Sequence, residues 1–423
     1  MIHNGNIVNT DQLASELKTK SRRHLLTHSD TEIILNLLAD GLAKATSEKD
    51  HLANGATTNS EVTELDFDCI CSAVTDVMKK LNGSYSIVTL VADHGLVAFR
   101  DPNGFRPLVW GKRPGRREGD RFGTLESGEA HMIASESVAL SFLGYEKVRD
   151  IAPGEVLFID MKGKVHSKVL VQKPVRHCMF EWVYFASPES EIDEHPVYGV
   201  RINLGKNLAK LIKRQIEEGK IKPDIVVPVP ETSRIAAIAL AEELKIPYRE
   251  VLIKNRYIKR TFILDSQEKR QNAVNLKLSP VRSEIVGKSV LLVDDSIVRG
   301  TTSRKIIELV RQAGAEKVYF VSTCPPIQHP CYYGIDFPDE NELIGSGRTL
   351  AQIEKELGAD AVIYQDLGGL KHAIRDALGD VNPTSGISTA NAHPCMACLD
   401  GDYPTDITAG RSFAETRTRD RKG

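Results

Sequence analysis

Val290-Leu-Leu-Val-Asp-Asp-Ser-Ile-Val-Arg-Gly-Thr-Thr302 decides how the second half of this 423-residue chain folds. Four apolar residues end on two adjacent acids, and a small, hydroxyl-rich turn leads into a helix that reads from Ser303 to Ala313 and stops at Gly314. In an open α/β sheet the ligand site lies beyond the carboxyl ends of the strands, where Asp294 and Asp295 fall. Two carboxylates side by side repel one another unless a cation or sugar hydroxyls satisfy them. Gly300 lets the backbone turn tightly. Around it Ser296, Arg299, Thr301, Thr302 and the amides at the helix start form a candidate phosphate cradle. An isolated Asp-Asp would read as a solvated turn and helix cap; the ordered run as a whole favours a phosphate site.

Outward from this run the grammar is alternating. A helix at about Val200 to Ile216 leads to the strand Asp224 to Pro230 and a helix from Ile235 to Leu244. Further strands are expected at Arg249 to Ile253, Ser289 to Val293 and Val318 to Ser322. Apolar strands alternating with helices predict a parallel sheet covered on both faces. Pro228-Val-Pro-Glu-Thr-Ser233 ends the first of these strands, because proline is disfavoured inside a sheet, and places Thr232 at the same rim. Lys254 to Phe262, with the charged segment Gln267 to Arg270, reads equally well as a solvated face or as a lid. In the second reading its cations meet a departing diphosphate.

The first half reads differently. Two helices are expected between Asn9 and Leu42, the second opened by a capping box of Ser29 and Glu32. Thr46 to Thr63 is polar and reads as an exposed insertion. From Ser84 to Asp160, short β-branched runs broken by Gly and Pro predict antiparallel strands at Ser86 to Val91, Leu96 to Phe99, Pro107 to Trp110 and Glu155 to Ile159.

Composition bounds the function. Fifty-five Lys and Arg against 57 Asp and Glu give a net charge of -2, which argues against a global attraction to nucleic acid or anionic lipid. Mean hydropathy is -0.24, and no run approaches the ~20 apolar residues of a bilayer span. The opening residues match neither a signal nor a transit peptide, so a cytoplasmic location is expected. Seven cysteines do not suit a disulfide scaffold. Cys395-Met-Ala-Cys398 is a moderate metal or redox signal, whereas Cys324 beside an apolar strand reads as core.

The motifs also carry a resemblance. His3-Asn-Gly-Asn6, Phe99-Arg-Asp-Pro-Asn-Gly-Phe-Arg-Pro-Leu108, Ala134 to Ser137, Phe180-Glu-Trp-Val-Tyr-Phe-Ala-Ser-Pro188, Pro228 to Ser233, Lys254 to Phe262 and Asp294 to Thr302 together resemble glutamine phosphoribosylpyrophosphate amidotransferases. The resemblance implies a two-domain α+β and α/β fold. An N-terminal-nucleophile hydrolase αββα sandwich, incomplete at its start, would span 1–172. A type I phosphoribosyltransferase domain with a doubly wound parallel sheet would span 173–385, and a tail with the CxxC 386–423.

It implies an amidophosphoribosyltransferase of purine synthesis, a pentosyltransferase whose ammonia passes internally and displaces diphosphate from phosphoribosyl diphosphate. Asn4 and Gly5 would then form an oxyanion hole and Asp30 would hold the glutamine amino group. Lys254, Arg256, Tyr257 and Arg260 would close over the diphosphate, and Asp294 to Ser296 with Arg299 to Thr302 would bind the sugar phosphate. Thr232, Asp294 and Asp295 would associate with Mg²⁺. Cys178, Cys331, Cys395 and Cys398 match the ligands of a [4Fe-4S] cluster, with zinc as the runner-up. Purine nucleotides as feedback inhibitors and a homo-dimer or homo-tetramer complete the implied partners.

One departure stands out. The family's nucleophile is a cysteine exposed at the processed chain start, a long stretch before His-Asn-Gly-Asn; here the chain opens almost at that motif. Cys69 and Cys71 fall in a predicted helix and match no nucleophile, and the upstream substrate-binding arginine is missing. The expectation is an enzyme driven by ammonia, without glutaminase activity. The competing class is a non-catalytic phosphoribosyl-diphosphate sensor, which has less reason to keep Lys254, Arg256, Tyr257 and Arg260 together. A simple salvage transferase is opposed by the first domain.

Overall fold

The computed structural model describes residues 1–53, 65–115, 128–254, 278–337, 339–377 and 393–410. In the first half the strands are β1 (Ile2–Ile7), β2 (Gly83–Val91), β3 (Gly95–Arg100), β4 (Val109–Pro114), β5 (Glu129–Ala134), β6 (Glu146–Asp150), β7 (Glu155–Asp160) and β8 (Val165–Val169). They make two antiparallel sheets, β1-β2-β3-β7-β8 and β5-β4-β6, where the sequence pattern showed one run of strands. Helices Asp30–Ala53 and Phe67–Lys80 cover the larger sheet. Their apolar faces (Ile33, Ile34, Leu37, Ile70, Val74, Val77) pack on Ile87, Val97, Phe99 and Val156. The opposite face of that sheet meets the second one through Ala98, Leu108, Ile151 and Leu157, and the short helix Ser137–Phe142 contacts β5 and β6 on the far side. The layers therefore run helix, sheet, sheet, helix.

Two expectations need correction here. The polar stretch from Thr46 does not leave the helix at once: the helix continues to Ala53, and the rest of the stretch up to Thr63 lies outside the described residues. Glu32 does not close a capping box on Ser29. Its carboxylate reaches further back, accepting from the amides of Leu26 and Thr27 at 2.8 and 2.7 Å, while the Ser29 hydroxyl accepts from Thr31 N–H at 3.3 Å.

The second half adds a small hairpin of β9 (Glu191–Ile192) and β10 (His195–Pro196), then β11 (Ile225–Pro228), β12 (Leu252–Lys254), β13 (Leu278–Pro280), β14 (Ser289–Asp294), β15 (Lys317–Ser322) and β16 (Ala361–Tyr364). Strands β11-β14-β15-β16 form a parallel sheet in that order. The Val290-Leu-Leu-Val293 run is fully buried, as a central strand covered on both faces requires. Its two faces feed separate cores: Val290 and Leu292 pack with Ile306 and Val310, Leu291 and Val293 with Leu208 and Leu240. Each such side chain contributes about 1.5–3 kcal/mol by leaving water. Leu252–Lys254 is not part of this sheet; it pairs antiparallel with Leu278–Pro280, and the stretch before it meets the sheet edge at a bridge of Tyr248 with Val226.

The register brings strand ends together. Pro228 pairs with Val293, Asp294 with Ser322, and Ser322 with Tyr364, so the carboxyl ends share one rim. The two halves are joined by a buried arginine. Arg100 on β3 forks onto Asp193, in the β9-β10 turn, at 2.7 and 2.8 Å, and gives its other N–H groups to the carbonyls of Arg106, Ile151 and Gly104 at 2.6, 3.0 and 3.0 Å. All five guanidinium donors are used. Burial alone would raise the Asp193 carboxyl; the Arg100 charge outweighs it and holds the group below the usual carboxylate range. Asp193→Asn strands a buried cation, and we expect it to lower stability by about 3 kcal/mol, read from the shift of a urea unfolding curve.

Candidate functional site

The rim opens into a cleft of about 960 Å³ lined by Thr232, Lys254, Asp294, Asp295, Ser296, Thr301, Thr302, Tyr184 and Phe185 among others. Its floor is the end of β14. Asp294 accepts from the Asp295 amide at 2.9 Å, and Asp295 accepts from Ser296 Oγ at 2.8 Å and from the Thr232 hydroxyl. Their backbone is pinned from the residue just past β15: Thr323 N–H donates to Asp294 O at 3.0 Å and Thr323 Oγ1 to Asp295 O at 3.2 Å. Both carboxylates are more than nine-tenths buried. Burial, reinforced by Asp295, pushes the Asp294 carboxyl well above its ordinary value; burial raises Asp295 too, against the Thr232 and Ser296 hydrogen bonds and the Arg201 charge.

The turn after the acids is shaped by Gly300, with φ 74° and a Cβ position that would lie 2.5 Å from Ile344 Cδ1. A side chain there would be strained by the positive φ and would have to displace Ile344. The helix Thr301–Gln312 then begins at the cleft, its opening amides without a side-chain cap. Arg299 also lines the cleft, but its guanidinium is engaged by Glu342 at 2.7 Å and by Asp336 O at 3.1 Å. Lys254 sits at the mouth, 3.9 Å from Glu231. Arg256, Tyr257 and Arg260 lie outside the described residues.

The residues proposed for glutamine chemistry sit together in the first half. Gly5 has φ 147°, and a Cβ there would meet Ser84 O at 2.1 Å, so the close pairing of β1 with β2 needs glycine. Asn4 Nδ2 reaches Ser135 Oγ at 3.4 Å. Asp30, at the start of its helix, accepts from His3 Nδ1 at 3.2 Å and Ile7 N–H at 3.3 Å. These bonds, with the Thr31 amide, hold its carboxyl below the usual value although burial pulls the other way. This strand abuts the second half directly. Asn6 Nδ2 donates to Tyr332 O and Ser84 Oγ to Tyr333 O, both at 2.8 Å, and a Cβ on Gly334 would come within 3.1 Å of the Gly5 carbonyl carbon. Ile335, Asp336 and Phe337, the next residues, line the cleft.

Cys178, Cys395 and Cys398 are buried and Cys331 half-buried; all are free thiols. Cys178 and Cys395 face each other across a parallel bridge, and Tyr333 N–H donates to Cys331 Sγ at 3.4 Å. Cys331 lies close enough to Cys178, Cys395 and Cys398 to add to the rise of each of their thiols. Burial pushes the Cys178 thiol up to about 12, against the pull of Arg106. Among the described residues, no three His, Cys, Asp or Glu are placed to hold a single metal ion.

Sequence reasoning missed the aromatic wall. Tyr184 and Phe185 belong to a widened turn, Glu181–Phe185, whose i to i+5 closure has no simple periodic signature; the run Phe180-Glu-Trp-Val-Tyr-Phe185 was its one visible trace.

Two domain families match the chain: a phosphoribosyl transferase domain over residues 201–335 and a glutamine amidotransferase domain over residues 1–123. The fold and the rim are thus those of a phosphoribosyltransferase joined to a glutamine amidotransferase. Among curated proteins, the amidophosphoribosyltransferase of Pasteurella multocida is 43% identical over 377 residues, covering 89% of this chain and 69% of that protein. The amidophosphoribosyltransferase of Escherichia coli is 44% identical, covering 90% and 70%. The solved glutamine phosphoribosylpyrophosphate amidotransferase of B. subtilis, complexed with ADP and GMP, superposes with a TM-score of 0.74 at 35% identity, over 97% of this chain and 79% of that one. The chain belongs to the amidophosphoribosyltransferase family.

The raised carboxyls have a consequence for stability. A carboxyl whose folded pKa lies above its unfolded value favours the fold at low pH, and that contribution is lost as pH rises through the folded pKa. Without ligand, Asp294→Asn should therefore raise the melting temperature at pH 8 by ~2 °C, corresponding to about 1 kcal/mol, and less at pH 5. A fall at pH 8 contradicts the assignment.

Proposed function

We propose that the cleft binds phosphoribosyl diphosphate and transfers its 5-phosphoribosyl group to ammonia. The observation that carries this is the buried Asp294–Asp295 pair, which has no ion-pair partner among the described residues and stands beside an uncapped helix start. Ordinary folding would not keep two carboxylates there unpaired. Sugar hydroxyls and a hard cation are what such a pair accepts, and Thr232, Asp294 and Asp295 supply the oxygen donors that fit Mg²⁺. When bound, that ion neutralises the diphosphate as it departs.

The residues divide the work. Asp294 and Asp295 orient the ribose through its hydroxyls, and Ser296, Thr301, Thr302 and the helix amides hold the 5-phosphate. Arg299 lends charge at the rim from its place beside Glu342. Lys254, at the mouth of the cleft, meets the departing diphosphate. Ammonia attacks C1, forming the C–N bond as the C1–O bond to diphosphate breaks, and the amine formed loses one proton. Tyr184 and Phe185 supply the dry wall such an oxocarbenium-like centre needs.

Asn4, Gly5 and Asp30 form the glutamine end of this reading, and the 332–337 segment is the short way between the two centres. Cys69 and Cys71 are buried in their helix, and turnover with ammonia is expected at the transfer site. The division at residues 172 and 385 belongs to the same reading, as do purine nucleotides as inhibitors. The complex of the B. subtilis relative with ADP and GMP supports the last point.

Four cysteines of this region are the candidate ligands of a cluster. Cys178, Cys331, Cys395 and Cys398 would hold a [4Fe-4S] core as four cysteinates, and a single zinc on the same thiolates is the alternative. Anaerobically purified protein should contain iron and acid-labile sulfide and lose both on Cys331→Ser; zinc without sulfide contradicts the cluster.

The decisive assay follows diphosphate release from phosphoribosyl diphosphate and Mg²⁺ with ammonium chloride, then with glutamine. Ammonia-dependent release is expected, reduced by at least ~100-fold in Asp295→Asn. Well-folded protein that releases none contradicts the reading.

A further inference from the structure

The turn Glu181–Phe185 touches both halves of the molecule. At its start Glu181 accepts from Arg106 Nη1 at 2.6 Å; Arg106 also donates to Tyr333 O at 3.1 Å and lies 5.4 Å from the Phe185 ring centre. At its end the turn closes through Ala186 N–H to Glu181 O at 2.9 Å. A turn this wide leaves carbonyls without partners along its own axis, and buried carbonyls require donors.

One side chain supplies them. Arg201, on the helix Val197–Glu217, donates from Nε to Trp182 O at 2.9 Å and from Nη2 to Tyr184 O at 3.2 Å and Ala186 O at 2.8 Å. It is 2% exposed. Burial lowers its pKa, while Asp295, Glu136 and Glu189 act from longer range to keep it charged. No ion pair within 4 Å compensates it among the described residues, so its charge is an expensive way to fill a volume that Leu or Met would fill at lower cost. A planar fork that fixes several carbonyls at once is what arginine offers and lysine does not.

The carbonyls it grips flank Tyr184 and Phe185, the rings that stand half-exposed in the cleft. Tyr184 faces the acid pair: burial raises its hydroxyl pKa, with Asp295 and Asp294 adding to the rise. We propose that Arg201 is a positioning residue that clamps this turn, so that the aromatic wall covers the sugar's C1 and excludes water, without itself touching substrate. This rests on the transfer reading above and assigns a residue to the product partition of that reaction. Water attacking C1 in place of ammonia gives ribose 5-phosphate, diphosphate and a proton; ammonia gives the phosphoribosylamine, diphosphate and a proton.

The test uses the full chain with Arg201→Lys and Arg201→Met. Ammonia-dependent turnover is measured at saturating phosphoribosyl diphosphate, with the split between amine and ribose 5-phosphate and amide hydrogen exchange over residues 181–187. In Arg201→Lys we expect a fall in kcat of about tenfold or more, a larger ribose 5-phosphate share, a smaller change in KM, and faster exchange at Ala186. If Arg201→Met does not fold, Arg201→Lys decides alone. Unchanged kcat, product split and exchange in folded Arg201→Lys overturn the proposal. If the parent protein shows no turnover, the transfer reading fails, and exchange at Ala186 still judges the clamp: faster supports it, unchanged overturns it.

Discussion

Two like charges forced side by side at the end of a buried strand are the constraint from which the second half takes its form. Asp294 and Asp295 cannot move apart, because Thr323, just past the neighbouring strand, holds both of their carbonyls. They cannot be washed by solvent either, being nearly buried. What relieves them is local: hydroxyls from Thr232 and Ser296, a backbone amide, and the distant charge of Arg201. Those contacts are weaker than a bound cation and sugar, so the unliganded fold carries a cost that ligand removes. Instability and binding capacity come from the same pair of groups.

The two halves are held together by buried arginines. Arg100 joins the halves with a fork whose every N–H is used, and Arg106 repeats the device nearer the centre with Glu181 and Tyr333. Because Gly334 lies against Gly5 and the following residues line the cleft, the distance between the two centres is spanned by one short segment. The C-terminal segment around Cys395 is tied to this same region through its bridge with Cys178. Buried polar contacts are concentrated where the two halves meet.

The sequence made the parallel sheet legible because its signals are local: Val290 to Val293 is apolar throughout, Gly314 ends its helix, and the acids sit where a strand must stop. β1 was hidden, since His3-Asn-Gly-Asn6 has no strand composition and is held in the sheet only by pairing with β2. The polar Thr46 stretch misled in the other direction, because a helix already anchored by Leu37 and Leu38 continues through residues with little apolar content of their own. In the site, the acids and the hydroxyl turn were readable by spacing. Arg201 was not: a buried cation reaching carbonyls on a distant turn has no sequence period, and its partners are backbone atoms. The engagement of Arg299 by Glu342 likewise depends on a contact between residues far apart in the chain.

The central claim is that the acid pair and its turn hold an activated sugar phosphate with the help of a divalent cation. Isothermal titration of phosphoribosyl diphosphate into the folded protein, with magnesium and again with a chelator, tests this most directly. Saturable heat at one site per chain that requires magnesium and disappears in Asp294→Asn is the predicted result. Heat that is indifferent to magnesium and to that substitution, or no heat at all, contradicts the account.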